Sequence, residues 1–530
     1  MKITKISLQN FRAFDEPFDL DLDGGKNLLL HGENGSGKSS IYFALKRFFE
    51  ERGDDIAKHH NLFSPETRAP YVRVHIKGKD ASGGDQDQEF HWDVADGHPL
   101  PVSKDPATAP ISAELRSMLV DGARRSGFLD YRMMLRTHLL SSPLSRSNWG
   151  PKIHDTIYGE EAKGLEAQLF DLISLVVLAG VRVTIAGGGE TTIGTLIRRV
   201  WENRPSARYK NVLANSNWHA NAFNQAFNAK LPELETKLAE FLNYFENHQL
   251  SIKFQPVSLA WDKPTLDLMG AELIPQITFR EKAVIDHHQF LNEARLSALA
   301  TCLFLAGVFL SDNDYTNPAY PRFLVLDDTL IGLDLQNRLP VLRILTSDGF
   351  KNYQIFLLTH DRVWFDLARG HLRGEDRWLH KELLADESTG HLIPRQKSSE
   401  SDLENARKHL ANGDLKAAAV YARSAFEWKL RNVCEKYGIK IAFKADVDRI
   451  GAGALWDGII QRQREREEQK AKGVQVHDFV PTDLKIAVET MRSTVLNKLS
   501  HTGASGLVHS EVATAITTVE SVCVHQFPQS

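Results

Sequence analysis

The run His31-Gly32-Glu33-Asn34-Gly35-Ser36-Gly37-Lys38-Ser39-Ser40 constrains this chain more than any other. It follows Leu28, Leu29 and Leu30 and precedes Ile41 to Phe49, which reads as a helix. Strand, glycine loop and helix with the spacing GxxxxGKS form a phosphate-binding pattern. Gly32, Gly35 and Gly37 let the backbone turn tightly and aim its N–H groups at phosphate oxygens. A helix opening near Lys38 adds its positive end. Lys38 can reach β- and γ-phosphates, and the Ser39 hydroxyl can ligate Mg²⁺. Asn34, Ser36 and Ser40 complete the candidate nucleotide-contacting set. A chance glycine turn would lack the flanking strand and helix, so the pattern implies a nucleoside triphosphate held with Mg²⁺.

Phe323-Leu324-Val325-Leu326-Asp327-Asp328 reads as a buried parallel strand with acids at its carboxyl end. Open α/β sheets bind ligands at that end. Asp327 is placed to hold Mg²⁺, directly or through water, and Asp328 to orient or polarise the attacking water. A second apolar strand, Ile355 to Leu358, ends in Thr359-His360-Asp361. His360 can there sense a γ-phosphate or hold the water; the alternative is a satisfied loop histidine.

Composition narrows the class. The 530 residues suffice for roughly three domains of ordinary size. A net charge of −4 announces no overall basic field, though a local basic face is compatible with it. Cys302, Cys434 and Cys523 form no CxxC pair, which argues against a zinc site or a disulfide framework. The N-terminus leads into an alternating strand pattern, not a signal peptide. Leu296 to Leu310 reads as one core helix, too short to span a bilayer. The expected location is the cytoplasm, away from membranes.

These motifs resemble the ABC-type ATPases of the SMC, RecF and RecN kind, over roughly residues 1–400. Ile6-Ser7-Leu8-Gln9-Asn10-Phe11-Arg12-Ala13-Phe14 is similar to that family's first strand and its turn. The resemblance implies that Arg12 lies near the nucleotide. It maps Walker A to residues 32–39, Walker B to 323–328, the D-loop to Gly332, Leu333 and Asp334, and the switch histidine to His360. The signature departs from the family's LSGGQ: in His287-His288-Gln289-Phe290-Leu291-Asn292-Glu293-Ala294-Arg295, Asn292 stands in the serine position and Glu293 and Ala294 replace glycines. Asn292 can still donate a hydrogen bond to a γ-phosphate; otherwise this segment is only the capped start of a core helix. No glutamine marks a Q-loop near Tyr131 to His138, where Arg136 or His138 could substitute.

The resemblance implies a nucleotide-dependent homodimer or higher homo-oligomer, with ATP sandwiched between heads. The expected fold is an α/β P-loop ABC-type head with a short helical insertion at about residues 150–250. The insertion carries helical patterns at Glu161 to Leu178 and at Leu231 to Asn247, about 25 Å for the second at helical rise. A polar stretch near Ser398 to Asp402 separates an all-α domain, 401–530. There Ala406 to Tyr437 and Thr482 to Ser500 read as helices. The charged segment Gln461 to Lys470 reads as a solvated face or loop, with a nucleic-acid or partner contact as the alternative. Asp446-Val447-Asp448 reads as a turn.

This second domain resembles HEPN-type helical domains more weakly. Asn497 and His501 share a helix face, but the arginine of the ribonuclease pattern is missing: Val495 and Leu496 occupy its positions, and Arg492 lies on the opposite face. The expected role is an ATP-binding and hydrolysing switch of a prokaryotic anti-phage system, controlling a separately encoded nuclease or toxin. The alternatives are a RecF-like DNA repair ATPase and an ATPase-regulated HEPN ribonuclease.

Overall fold

The computed structural model describes residues 1–49, 55–79, 83–95, 97–99, 112–132, 134, 178–185, 188–205, 213–245, 249–262, 268–270, 273–284, 290–313, 320–372, 375–386, 393–396, 399–441, 451–496 and 507–528. They form two compact units, Met1–Arg395 and Gln396–Ser530.

The first unit opens with β1 (Lys2–Gln9), β2 (Phe18–Asp21) and β3 (Asn27–Gly32), followed by helix α1 (Lys38–Phe48). β4 (Tyr71–Lys79) and β5 (Asp85–Asp93) alternate strictly, so Val72, Val74, Ile76, Phe90 and Trp92 turn inward while Arg73, Lys77, Asp87 and Glu89 face out. They join β1 and β2 in an antiparallel sheet of order β2-β1-β4-β5.

After α2 (Ala113–Arg125) and β6 (Gly127–Asp130) comes the insertion. Its described part holds β7 (Arg182–Thr184), β8 (Glu190–Thr192), α3 (Ile193–Glu202), α4 (Leu213–Leu242), β9 (Leu250–Phe254), β10 (Ala260–Trp261), β11 (Leu268–Met269), β12 (Pro275–Phe279) and β13 (Lys282–Val284). Most of the expected helix 161–178 lies outside the described residues. The helix expected from Leu231 instead begins at Leu213 and runs 30 residues, about 45 Å. Its asparagine-rich start has poor intrinsic propensity, which tertiary contacts override. Asn224 accepts from the Leu259 amide at 2.8 Å and donates to its carbonyl at 2.9 Å. Asn228 does the same with Val257, at 2.8 Å both ways, and Asn217 accepts from the Trp261 amide at 2.8 Å. The side chains thus satisfy a strand-like segment that runs along the helix.

The chain returns through α5 (Glu293–Asn313), β14 (Phe323–Asp327), α6 (Leu335–Thr346), β15 (Gln354–Thr359), α7 (Arg362–His371), β16 (Trp378–Asp386) and β17 (Ile393–Gln396). The expectation of a core helix too short for a bilayer needs correction. α5 is long and apolar enough to cross one, but 78% of its apolar window is buried inside the structure. That burial accounts for its composition.

The central sheet has the order β17-β16-β3-β15-β14-β6, parallel from β16 to β6. Both faces are covered, so β3, β14 and β15 are buried throughout and apolar in their middles, with polar residues only at their ends. Alternation divides their side chains between two cores. Leu28, Leu30, Val325 and Phe356 pack beneath the antiparallel sheet and α1. Leu29, Leu324, Leu326 and Leu357 pack with α5 and the insertion. Because the insertion shares that core, it forms no third unit.

The second unit is helical: α8 (Ser399–Ala411), α9 (Leu415–Lys436), α10 (Ala452–Ala471), α11 (Thr482–Met491) continued by a π turn over Arg492–Leu496, and α12 (His509–Val524). One helix expected from Ala406 to Tyr437 is two, because Gly413 takes a left-handed φ of 77° and Asp414 caps α9 by accepting from the Ala417 amide. The segment 461–470 is not wholly solvated. Gln463 and Arg466 are buried, with Gln463 accepting from the Phe479 and Val480 amides and Arg466 donating to the His477 and Pro528 carbonyls. Asp446 to Asp448, Asn497 and His501 lie outside the described residues.

Candidate nucleotide site

The strand order positions the candidate residues. β15 lies between β3 and β14, so three carboxyl ends stand side by side: the glycine loop after β3, Thr359-His360 after β15, and Asp327-Asp328 closing β14.

The glycine loop is built as its sequence requires. Gly35 and Gly37 have φ of 87° and 92°, conformations that L residues adopt only at a cost. A Cβ on Gly37 would lie 2.7 Å from Pro394 Cγ, and one on Gly32 would overlap the Ser36 hydroxyl. Gly37 is the N-cap of α1 and brings no capping side chain, so the first N–H groups of the helix face the loop. Lys38 donates to the Gly32 carbonyl at 2.5 Å and the Glu33 carbonyl at 3.1 Å. Burial lowers its pKa, against the pull of Asp328 and Asp327. Asn34 and Ser39 are exposed, whereas Ser36 is buried with no hydrogen-bond partner for its hydroxyl. The Ser40 hydroxyl instead accepts from the Ala13 amide at 3.2 Å.

Asp327 is buried, and its Oδ1 has no hydrogen-bond partner. Burial pushes its pKa up to about 6; the Ser39 hydroxyl bond opposes this and Asp328 adds to it. A divalent cation would relieve that penalty. No cluster of three or more His, Cys, Asp or Glu side chains suits a metal among the described residues. Asp327 and the Ser39 hydroxyl bonded to it are a donor pair that fits an ion completed by phosphate oxygens, as Mg²⁺ is commonly held.

Asp328 adopts a left-handed φ of 51°, and its amide donates to the Leu358 carbonyl at 3.1 Å. This turns its carboxylate toward His360. The His360 amide donates to Asp328 Oδ1 at 2.8 Å, and Nδ1 lies 3.0 Å from the same oxygen. The structure thus brings together two residues 32 positions apart.

Other candidates take visible structural duties. Asp334 caps α6, accepting from the Asn337 amide at 2.9 Å. Asn292 accepts from the Arg295 amide at 3.0 Å, a capping geometry at the start of α5. Arg12 has a φ of 51° and stacks its guanidinium 4.1 Å from the centroid of the Phe43 ring. Arg136, His138 and His287 to Gln289 lie outside the described residues.

Sequence reasoning missed the segment Lys58 to Phe63. With Arg12, Gly35 and Ser40 it lines an open cleft of about 660 Å³ beside the glycine loop. Asn61 holds the Arg12 turn, donating from Nδ2 to the Arg12 carbonyl at 2.6 Å and from its amide to Asn10 Oδ1 at 2.8 Å. Leu62 and Phe63 project into solvent, 84% and 66% exposed. No phosphate-loop pattern extends to these positions, so nothing local flagged them.

Residues 1–89 match the family of AAA ATPase domains described as AAA_15. No curated protein sequence matches the chain. Among solved structures, an SMC head bound to the C-terminal winged-helix domain of ScpA is 15% identical, with a TM-score of 0.38, covering 76% of this chain and 100% of that one. The recombination mediator RecF is 14% identical, with a TM-score of 0.40, covering 74% and 97%. A Pyrococcus furiosus Smc head with an extended coiled coil is 14% identical, with a TM-score of 0.37, covering 77% and 99%.

Proposed function

We propose that the first unit of this chain is a P-loop ATPase head of the SMC and RecF type, which binds ATP and hydrolyses it to switch between separate and paired heads. The observation that carries the reading is the meeting of Lys38, Asp327 and the Asp328–His360 pair at one end of one sheet. In this reading Lys38 and the glycine-loop amides hold the phosphates. Ser39 and Asp327 would hold Mg²⁺, which would supply positive charge against the negative charge developing on the phosphates. Asp328 accepts a proton from the attacking water and His360 orients it. Arg12 and the cleft beside it receive the rest of the nucleotide. Asn292 and the loop ending at Asp334 reach the ATP held by a second copy, so hydrolysis depends on pairing. Asp328 is shorter than the glutamate usual at this position in the family, which favours slow turnover and a long-lived closed state.

The same reading makes the protein the ATPase component of an anti-phage defence system. Its helical unit, residues 396–530, engages a separately encoded effector. The support is the resemblance together with the compactness of the second unit.

The test is recovery of tagged wild-type, Lys38→Ala and Asp328→Ala chains from the native host, with bound proteins and nucleic acids identified. A nuclease-like or toxin-like protein recovered in a nucleotide-site-dependent way supports the defence switch. DNA with replication or repair factors alone overturns it in favour of a RecF-like ATPase.

A further inference from the structure

The chemistry-bearing residues stand on separate loops, and one buried arginine joins two of those loops. Arg338, in the first turns of α6, is only 9% exposed, and an arginine so buried is normally committed to partners. Its Nε donates to the Leu333 carbonyl at 2.8 Å, and a terminal nitrogen donates to Asp361 Oδ2 at 2.5 Å. The guanidinium also lies 6.0 Å from the Trp364 ring. Leu333 belongs to the loop between β14 and α6, and Asp361 directly follows His360.

Both ends of this link are themselves fixed. Asp361 caps α7 by accepting from the Trp364 amide at 3.0 Å, and its own amide donates to the Thr359 hydroxyl at 3.1 Å. The turn that carries His360 is therefore held from both sides, and His360 holds Asp328. At the other end, a Cβ on Gly332 would overlap the hydroxyl of the fully buried Ser297, so the loop is pressed onto the first turns of α5. That helix begins just after Asn292. A continuous path of packed backbone and side chains thus runs from the start of α5 through Gly332, Leu333, Arg338 and Asp361 to the His360–Asp328 pair.

We propose that Arg338 is a positioning residue through which the loop 332–334 sets the geometry of the His360–Asp328 pair. The inference rests on the reading above, in which that loop faces a nucleotide held by a second copy. Engagement of the loop then moves or stiffens the Leu333 carbonyl, and the planar guanidinium transmits this to Asp361 and the His360 turn. A lysine cannot hold both acceptors, because it lacks the rigid fork. Arg338 itself touches no reacting atom.

The experiment uses the full chain as wild type and as Arg338→Lys, Arg338→Ala, Asp361→Asn and the double variant Arg338→Ala/Asp361→Asn. Binding of a fluorescent ATP analogue is measured alongside steady-state hydrolysis over a range of protein concentrations. Nucleotide affinity is expected to stay within about threefold of wild type, because Lys38, Ser39 and Asp327 are untouched. The hydrolysis rate is expected to fall about tenfold or more in every variant and to lose its rise with protein concentration. The double variant should be no slower than Arg338→Ala, since both changes cut one link. A rate within about twofold of wild type in Arg338→Lys and Asp361→Asn overturns the proposal, as do additive losses. So does an equal loss of affinity and rate, which marks a merely structural arginine. A wild-type chain that binds no ATP fails the reading of the site itself, a separate outcome from failure of this link.

Discussion

His360 places its backbone amide and its ring Nδ1 on the same carboxylate oxygen of Asp328, at 2.8 and 3.0 Å. The contact spans two strands and fixes both residues at the carboxyl end of the parallel sheet. If Asp328 activates water, Asp328→Asn should keep the turn, because asparagine tolerates the left-handed φ of 51°. It should leave ATP binding intact while lowering hydrolysis by about 10²-fold or more. Single-turnover kinetics with separately measured affinity checks this, and unchanged hydrolysis would remove Asp328 from the chemistry.

Lys38 closes the glycine loop on the Gly32 and Glu33 carbonyls and would turn to the phosphates when nucleotide binds. Lys38→Ala should reduce ATP affinity by about tenfold or more, on the scale of a charge-assisted hydrogen bond. Calorimetric titration of the full chain reads this directly.

Asp327 carries a pH signature whose sign can be worked out. Its folded pKa, about 6, lies above the ordinary 3.8. Folding therefore takes up a proton between those values, and the cost of keeping a buried carboxylate is absent below about pH 4 and fully present above about pH 6. Without metal, Asp327→Asn should be more stable than wild type at pH 8, on the order of 1–3 kcal/mol, with the difference vanishing near pH 4. The same variant should lose Mg²⁺-dependent nucleotide binding. Denaturant melts at the two pH values decide it.

Gly37→Ala should be costly twice over. The new Cβ would sit 2.7 Å from Pro394 Cγ, and φ of 92° suits only glycine. A loss of about 1–2 kcal/mol is expected from the backbone alone, with weakened ATP binding. Gly24 also has a left-handed φ, but a Cβ there would meet no atom within 4 Å, so Gly24→Ala isolates the backbone cost. Thermal melts of the two variants, with ATP titrations alongside, separate the clash from the strain.

The asparagine pairs of α4 predict a stability effect remote from the site. Asn224→Ala leaves the Leu259 amide and carbonyl without their partners and should cost about 1–3 kcal/mol, with ATP affinity unchanged. Asn228→Ala should act similarly through Val257. Thermal melts with and without nucleotide distinguish loss of stability from loss of binding.

Much of the site could be read from local patterns. A phosphate loop is a contiguous grammar of glycines, lysine and serine, and Leu28 to Leu30, Phe323 to Leu326 and Ile355 to Leu358 are apolar because both faces of their sheet are covered. The break at Gly413 escaped the reading of one helix from Ala406 to Tyr437, although its signal is local: glycine followed by aspartate ends one helix and caps the next. What local pattern could not supply was pairing across distance. The helix from Leu213 forms because its asparagines find backbone partners 29 to 44 residues away, against their own propensity. Gln463 and Arg466 look like part of a solvated charged run, yet folding buries them against the amides and carbonyls of residues 477–480 and 528.

The chain's own order of residues settled which chemistry stands at each strand end, because a strand end and its turn are set by neighbours in sequence. Only the tertiary structure decided that β15 lies between β3 and β14. That placement puts His360 on Asp328 and leaves Arg338 spanning Leu333 and Asp361. Strand order is chosen by how all the buried faces pack at once, and no single segment carries that information.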